Sequence, residues 1–383
     1  MALYIDVHTA DGGGTAPGTT TAAPAPPEPS RRRPRRSPRP PTGGPSGANP
    51  RGSAVVPAFL MTAVLASFAL AMTLVTGPSA KEAGHQHAAH AGPVAADYVA
   101  IGAAPAVGVA PRPGPAASTG VFTADCGRNL EGHRNSDNFI VAAGRSNGAH
   151  HVHDYVGNTS ADGNSTDRSL AGASTTCTRG DKSVYFWPVL RDIRHGGPDA
   201  DQPGGGQDGN LGHIVTPARV SLQFLGNPQA KVEAIPRFLR VVTGDAKAVT
   251  KGANARARAL WSCSGTPGRA SATHYPLCPA GQRVQRVGEF PSCWTGAGSD
   301  SEDHRSHVRF PDQATGACPT GTVPIPRLRI TLGYDVPAGR SYAIDSFPDQ
   351  ARKAVTDHFD FENVMPESLM NTVVDCINSG RTC

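Results

Sequence analysis

The chain has 383 residues and a formal net charge of +5, from 36 Lys and Arg against 31 Asp and Glu. The first 53 residues carry seven Arg (Arg31, Arg32, Arg33, Arg35, Arg36, Arg39, Arg51) against Asp6, Asp11 and Glu28, a surplus of +4 that leaves +1 for everything after them. The later part therefore has no global basicity to hold DNA or RNA, and no nucleic-acid partner is expected.

In chain order, residues 1–53 are Pro, Gly, Thr and Arg with hardly a large apolar side chain. Burial cannot offset the entropy of ordering them, so they read as a disordered Pro/Arg-rich cytoplasmic tail. Residues 54–76, AVVPAFLMTAVLASFALAMTLVT, are 23 residues without a charge, enough to cross a hydrocarbon layer of ~30 Å as a helix. Arginines before the segment and none clustered after it orient the N-terminus toward the cytoplasm. The expectation is a transmembrane anchor in the cell membrane, single-pass with the C-terminal domain outside. A signal helix cleaved to release a secreted domain is the alternative, against which Pro78 spoils the small-x-small pattern before Ala80. Residues 77–120 are an Ala/Pro/Gly linker, and His85, His87 and His90 in HQHAAH read as solvated linker residues rather than metal ligands.

All eight cysteines (Cys126, Cys177, Cys263, Cys278, Cys293, Cys318, Cys376, Cys383) follow the apolar segment. An even number confined to the exported part reads as disulfides in an oxidising compartment. Pairing neighbours in chain order, 126 with 177, 263 with 278, 293 with 318 and 376 with 383, keeps every loop local. The absence of a C-x-x-C pair removes support for a zinc ribbon or a thioredoxin-like centre.

From Val121 to Cys383 the signals are short β runs punctuated by Gly and Pro: NFIVAAG, SVYFWPVL, ARVSLQFLG, FLRVVTG, HVRFP and RLRITLGYDVP. Val220, Leu222 and Phe224 alternate with Ser221 and Gln223, the pattern of a half-buried strand. PESLMNTVVDCIN predicts a helix, with Pro366 at its start and Leu369, Val373 and Ile377 on one stripe. The expected fold is a β-rich α+β class, one disulfide-stabilised extracytoplasmic domain (121–383) behind a transmembrane segment.

The chemistry concentrates in AHHVHDYVGN, residues 149–158. If this stretch is extended, His151 and His153 share a face, because strand side chains repeat every two residues. Two adjacent imidazoles begin a Zn, Cu or non-haem iron site. SEDHRSHVRFP adds Asp303, His304 and His307, and TDHFDFENV adds Asp357, His358 and Asp360. The candidate ligands of one transition metal, Zn or Cu, are thus His151, His153, His304, His307 and His358, with His151, His153 and His307 foremost. Asp303 or Asp360 is the candidate fourth ligand or catalytic base, beside an open position for activated water. The plainer alternative is that these histidines are structural, bonded to carbonyls and carboxylates.

Other motifs carry less. GRSNG has the spacing of a nucleophile elbow around Ser146, with FIVAA as the strand before it, but no helix is predicted to follow. PGGGQDGN lacks the ending of a phosphate loop and reads as a flexible excursion, and DGNSTD reads as a polar turn rather than a calcium loop. NTS at Asn158 and NST at Asn164 are glycosylation sequons in a host that reads them. Tyr185, Phe186, Trp187, Trp261 and Trp294 could stack on sugars, although core packing is the better expectation.

SNGAHHVHDYVGN, STDRSLAGASTTC, YFWPVL, PRFLRVVTGD, WSCSG, FPSCWTG, DHRSHVRFP and CINSGR occur in this order. Together they resemble the secreted actinobacterial and fungal proteins grouped as a domain of unknown function, number nineteen-ninety-six in that series. The resemblance covers Val121 to Cys383 and implies an extracellular or surface-attached domain with no established reaction. The family's histidine-rich stretches map onto His151 and His153, onto His304 and His307, and onto the His358 region, where the tail after His-x-Asp-Phe departs from the family pattern. The expected function is a membrane-anchored domain whose histidine cluster holds a metal for hydrolysis or oxidation of an extracellular polymer such as cell-wall polysaccharide. The alternatives are a non-catalytic surface module binding glycan or protein, and extracellular metal capture.

Overall fold

The computed structural model of the chain describes residues 92–252 and 258–383. The expected tail (1–53), the apolar segment (54–76) and His85, His87 and His90 lie outside the described residues. Among the described residues no helix is long and apolar enough to cross a membrane.

Ten strands build the two main sheets: β1 (Val121–Ala124), β2 (Arg134–Asn135), β3 (His153–Gly157), β4 (Val184–Pro188), β5 (Arg219–Leu225), β6 (Arg240–Gly244), β7 (Ala259–Cys263), β8 (Val284–Glu289), β9 (Arg327–Tyr334) and β10 (His358–Glu362). The front sheet has the order β2-β3-β4-β10-β6 and the back sheet β7-β8-β9-β5-β1, all antiparallel. Strand alternation divides each sheet into two faces. Leu222, Phe224, Ile330 and Leu332 of the back sheet join Val156, Tyr185, Trp187, Phe359 and Phe361 of the front sheet in one buried core. Gly288 marks how close the sheets come, since a Cβ there would lie 2.6 Å from the Phe359 ring. The other face of the front sheet is covered by a second cluster, in which Phe139, Ile140 and Leu170 pack on Tyr155, Phe186 and Val242. On the other face of the back sheet, Leu260 of β7 and Val287 of β8 pack with Ala270, while Ser221 and Gln223 of β5 and Thr331 of β9 line a cleft.

Arg286 of β8 is buried between the sheets, where its Nε donates to Asp357 at 3.0 Å and its Nη1 to the Pro188 carbonyl at 2.7 Å. A buried charge needs such pairing. The pair ties the back sheet to the end of β4 and the start of β10.

The β-rich expectation describes the fold well, and the C-terminal helix, Glu367–Asn378, begins directly after Pro366. The four disulfides are Cys126–Cys177, Cys263–Cys278, Cys293–Cys318 and Cys376–Cys383, the pairing in chain order. Other expectations are corrected. Residues 92–120 do not behave as a free linker: Tyr98–Ala100 forms a strand parallel to Tyr275–Leu277, and Tyr98, Ile101 and Ala104 are buried. FIVAA is not a strand but a series of turns whose Phe139 and Ile140 enter the second cluster, so Ser146 has no elbow to sit on. Tyr185, Phe186, Trp187 and Trp261 are fully buried, which assigns them to packing. Asn158 is buried with its amide donating to the Leu170 and Lys182 carbonyls, and is closed to a glycan.

Candidate metal centre

The front sheet brings together three rings from positions 151, 153 and 358. His153 opens β3 and pairs with Pro188 of β4, while Asp360 of β10 pairs with Phe186 on the other side of β4, which sets His358 level with the same Pro188. Both histidines project from the outer face of the front sheet. His151 lies two residues ahead of His153, after a left-handed turn at His150 with φ of 53°. The Nε2 atoms converge: His151 to His153 is 3.1 Å, His151 to His358 is 3.2 Å, and His153 to His358 is 3.4 Å. Their relative exposures are 1%, 0% and 4%.

Backbone carbonyls fix the protonation of two of these rings. Nδ1 of His153 donates to the Asp137 carbonyl at 3.0 Å and Nδ1 of His358 to the Thr356 carbonyl at 2.9 Å. A carbonyl only accepts, so the proton sits on Nδ1 and each Nε2 turns a lone pair inward. Burial, followed by the neighbouring imidazoles, holds His151 and His153 well below the usual histidine range, and burial lowers His358 to about 4. All three are neutral at pH 7. A single Nε2 proton on His151 can serve one partner at a time, whereas one cation satisfies three inward lone pairs together. Three nitrogens each ~2.0–2.1 Å from a tetrahedral ion stand about 3.3 Å apart. The observed separations of 3.1, 3.2 and 3.4 Å bracket that value, so the three histidines form a group that could hold a metal ion.

The surroundings orient the rings. Phe186 meets His153 edge-on at 5.2 Å and Phe347 meets His151 at 5.1 Å, with Lys247 Nζ 3.5 Å from the Phe347 ring centre. The stretch PGGGQDGN is ordered against the site rather than a flexible excursion. Buried Asn210 donates to the carbonyls of His150 at 3.1 Å and Ser346 at 3.1 Å, and Asp208 bonds the His150 ring at 2.8 Å. Between His151 and His153, the Val152 amide donates to Asp345 at 3.3 Å, and Arg191 grips that carboxylate at 2.6 and 2.9 Å. Asn138, Asn210, Arg191, Asp345 and Arg286 belong to no motif, and only the fold brings them to the surroundings of the three rings.

Asp360 lies two residues beyond His358 on the same face, fully buried. Its Oδ1 accepts from Asn138 at 3.4 Å, its Oδ2 has no partner among the described residues, and burial raises it to about 7. The structure places His304, His307 and Asp303 elsewhere. Nε2 of His307 donates to the Arg240 carbonyl at 2.6 Å and its Nδ1 accepts from Ser301 at 2.8 Å, which leaves no lone pair for an ion. His304 bonds Asp300 at 3.0 Å. Asp303 accepts from the amides of Arg305 and Ser306 in its own loop, and these bonds hold its carboxyl well below the usual range. The grouping of Cys126, Cys177 and Asp181 is closed by the disulfide.

Neither a curated protein nor a solved structure matches the chain. Residues 139–363, which include all three converging histidines and more than half of the sequence, match the model of the family described as Domain of unknown function (DUF1996), and the chain belongs to that family.

Proposed function

We propose that this domain holds one transition-metal ion, Zn or Cu, on the Nε2 atoms of His151, His153 and His358, leaving a fourth coordination position for water or another small ligand. The observation that carries the reading is the convergence of three buried Nε2 atoms, two of them with lone pairs fixed inward by carbonyl acceptors. Three imidazoles without a thiolate suit Zn or Cu, and a three-ligand set with one position open is the arrangement of catalytic zinc sites. Asp360, buried two residues beyond His358 on the same strand face, is the carboxyl we assign to proton exchange with a molecule in that position; Asp303, committed to its own loop, is not.

The expected polymer substrate fits this site poorly. With ligand exposures of 1%, 0% and 4%, a polysaccharide strand has no approach to the ion, and the reading is confined to a small ligand or to metal retention. Four disulfides support an oxidising, extracellular setting, in which residues 54–76 would tether the domain to the membrane.

The test is metal analysis of the full chain after loading and desalting. About one equivalent of Zn or Cu is expected in the wild type and in His307→Ala, and less than about a tenth of that in His153→Ala or His358→Ala. A folded wild type that retains no metal, or a His307→Ala variant that loses it, contradicts the assignment.

A further inference from the structure

Part of the outer face of the back sheet, on the side of the sandwich away from the histidines, forms the floor of a cleft of about 630 Å³. That is within the roughly 300–1,000 Å³ range of small-ligand sites. We infer that this cleft binds an oligosaccharide bearing carboxylates.

Its charge is unbalanced. Four arginines, Arg219, Arg258, Arg327 and Arg329, line the cleft with the carboxylates Glu289 and Asp312. Asp312 is occupied by the turn it closes, accepting from the Thr315 amide at 2.8 Å and the Thr315 hydroxyl at 2.7 Å. Glu289 pairs with Arg329 and lies 3.4 Å from Arg327, so one carboxylate serves two guanidinium groups. The Nε atoms of Arg258 and Arg327 are buried without an acceptor among the described residues. A guanidinium whose Nε lacks an acceptor is under-compensated, and a carboxylate in the cleft would pair with these arginine heads through charge-assisted bonds. Arg258 is also half-buried with its guanidinium carbon 4.7 Å from the Phe310 ring centre, a stacked pose that leaves its edge for a planar anion.

The rest of the floor argues for a sugar rather than a bare anion. Register places Ser221 beside Thr331 and Gln223 beside Arg329 on adjacent strands, with Gln285 on the next, a grid of hydroxyl and amide groups that matches a polyhydroxylated chain. Pro111 and Pro228 form an apolar wall.

The test is calorimetric titration of the full chain with oligogalacturonate and oligoguluronate, with neutral oligogalactose of equal length, and with an oligoglutamate peptide. Binding of an acidic sugar alone is expected. Arg258→Gln should weaken it at least about tenfold through loss of a charge-assisted pair. Ser221→Trp, which fills the floor without changing charge, should abolish it. The inference fails if the folded wild type binds neither acidic sugar, if the neutral sugar or the peptide binds equally well, or if either cleft variant binds normally.

Discussion

Among single residues, Glu362 shows most clearly what burial does to a charge in this molecule. Its side chain has no exposed surface, its Oε2 accepts from Arg240 Nε at 2.9 Å, and its Oε1 has no partner among the described residues. Burial outweighs the arginine and raises the carboxyl to about 7. A folded pKa above the unfolded value of ~4.3 means that the contribution to stability is complete below about pH 4 and is lost as pH rises through about 7. Glu362→Gln does not titrate, so the wild type should lose about 3 kcal/mol relative to the variant between pH 4 and pH 8. Urea unfolding at the two pH values checks this, and a difference that stays constant with pH contradicts it. The converging histidines were only partly legible at this scale. His151 and His153 announce themselves by spacing, but nothing in the letters distinguishes His358, whose Nε2 faces inward, from His307, whose two nitrogens are both bonded within the protein.

For the elements, face assignment decides everything. The alternation of Val220, Leu222 and Phe224 gave β5 correctly because one of its faces meets the core and the other the polar cleft. FIVAA offered an apolar run without such alternation, and its Phe139 and Ile140 instead cap the front sheet from a loop. Periodicity cannot separate those cases in a short run. The spacing between sheets was equally invisible, since it depends on Gly288 facing Phe359. Gly288→Val should force the sheets apart and cost about 1–3 kcal/mol, measured as a lowered unfolding midpoint. A midpoint equal to that of the wild type would show that the sheets are not packed as described. Because Arg286 on the same strand holds Asp357, next to His358, the same variant should also weaken metal retention.

Across the whole molecule, the disulfides were the most legible feature, since neighbouring cysteines in chain order close the shortest loops. The boundary of the folded part was the least legible: Ala, Pro and Gly dominate residues 92–104, and the two anchors Tyr98 and Ile101 are easily overlooked among them. Cys126–Cys177 spans 51 residues and Cys376–Cys383 spans 7. In the chain-entropy account, removing the first should cost about 4 kcal/mol and removing the second about 2. Paired Cys→Ala variants compared by denaturant unfolding test that order, and a larger loss from the short loop would reverse it.

The histidine centre is the claim on which the functional account stands, and X-ray absorption at the metal edge of the loaded full chain reads its coordination directly. The account predicts three imidazole nitrogens at ~2.0–2.1 Å with one further light-atom ligand in the wild type, and loss of that signal in desalted His358→Ala. A spectrum with fewer than three imidazoles in the wild type, or one unchanged by His358→Ala, would contradict it.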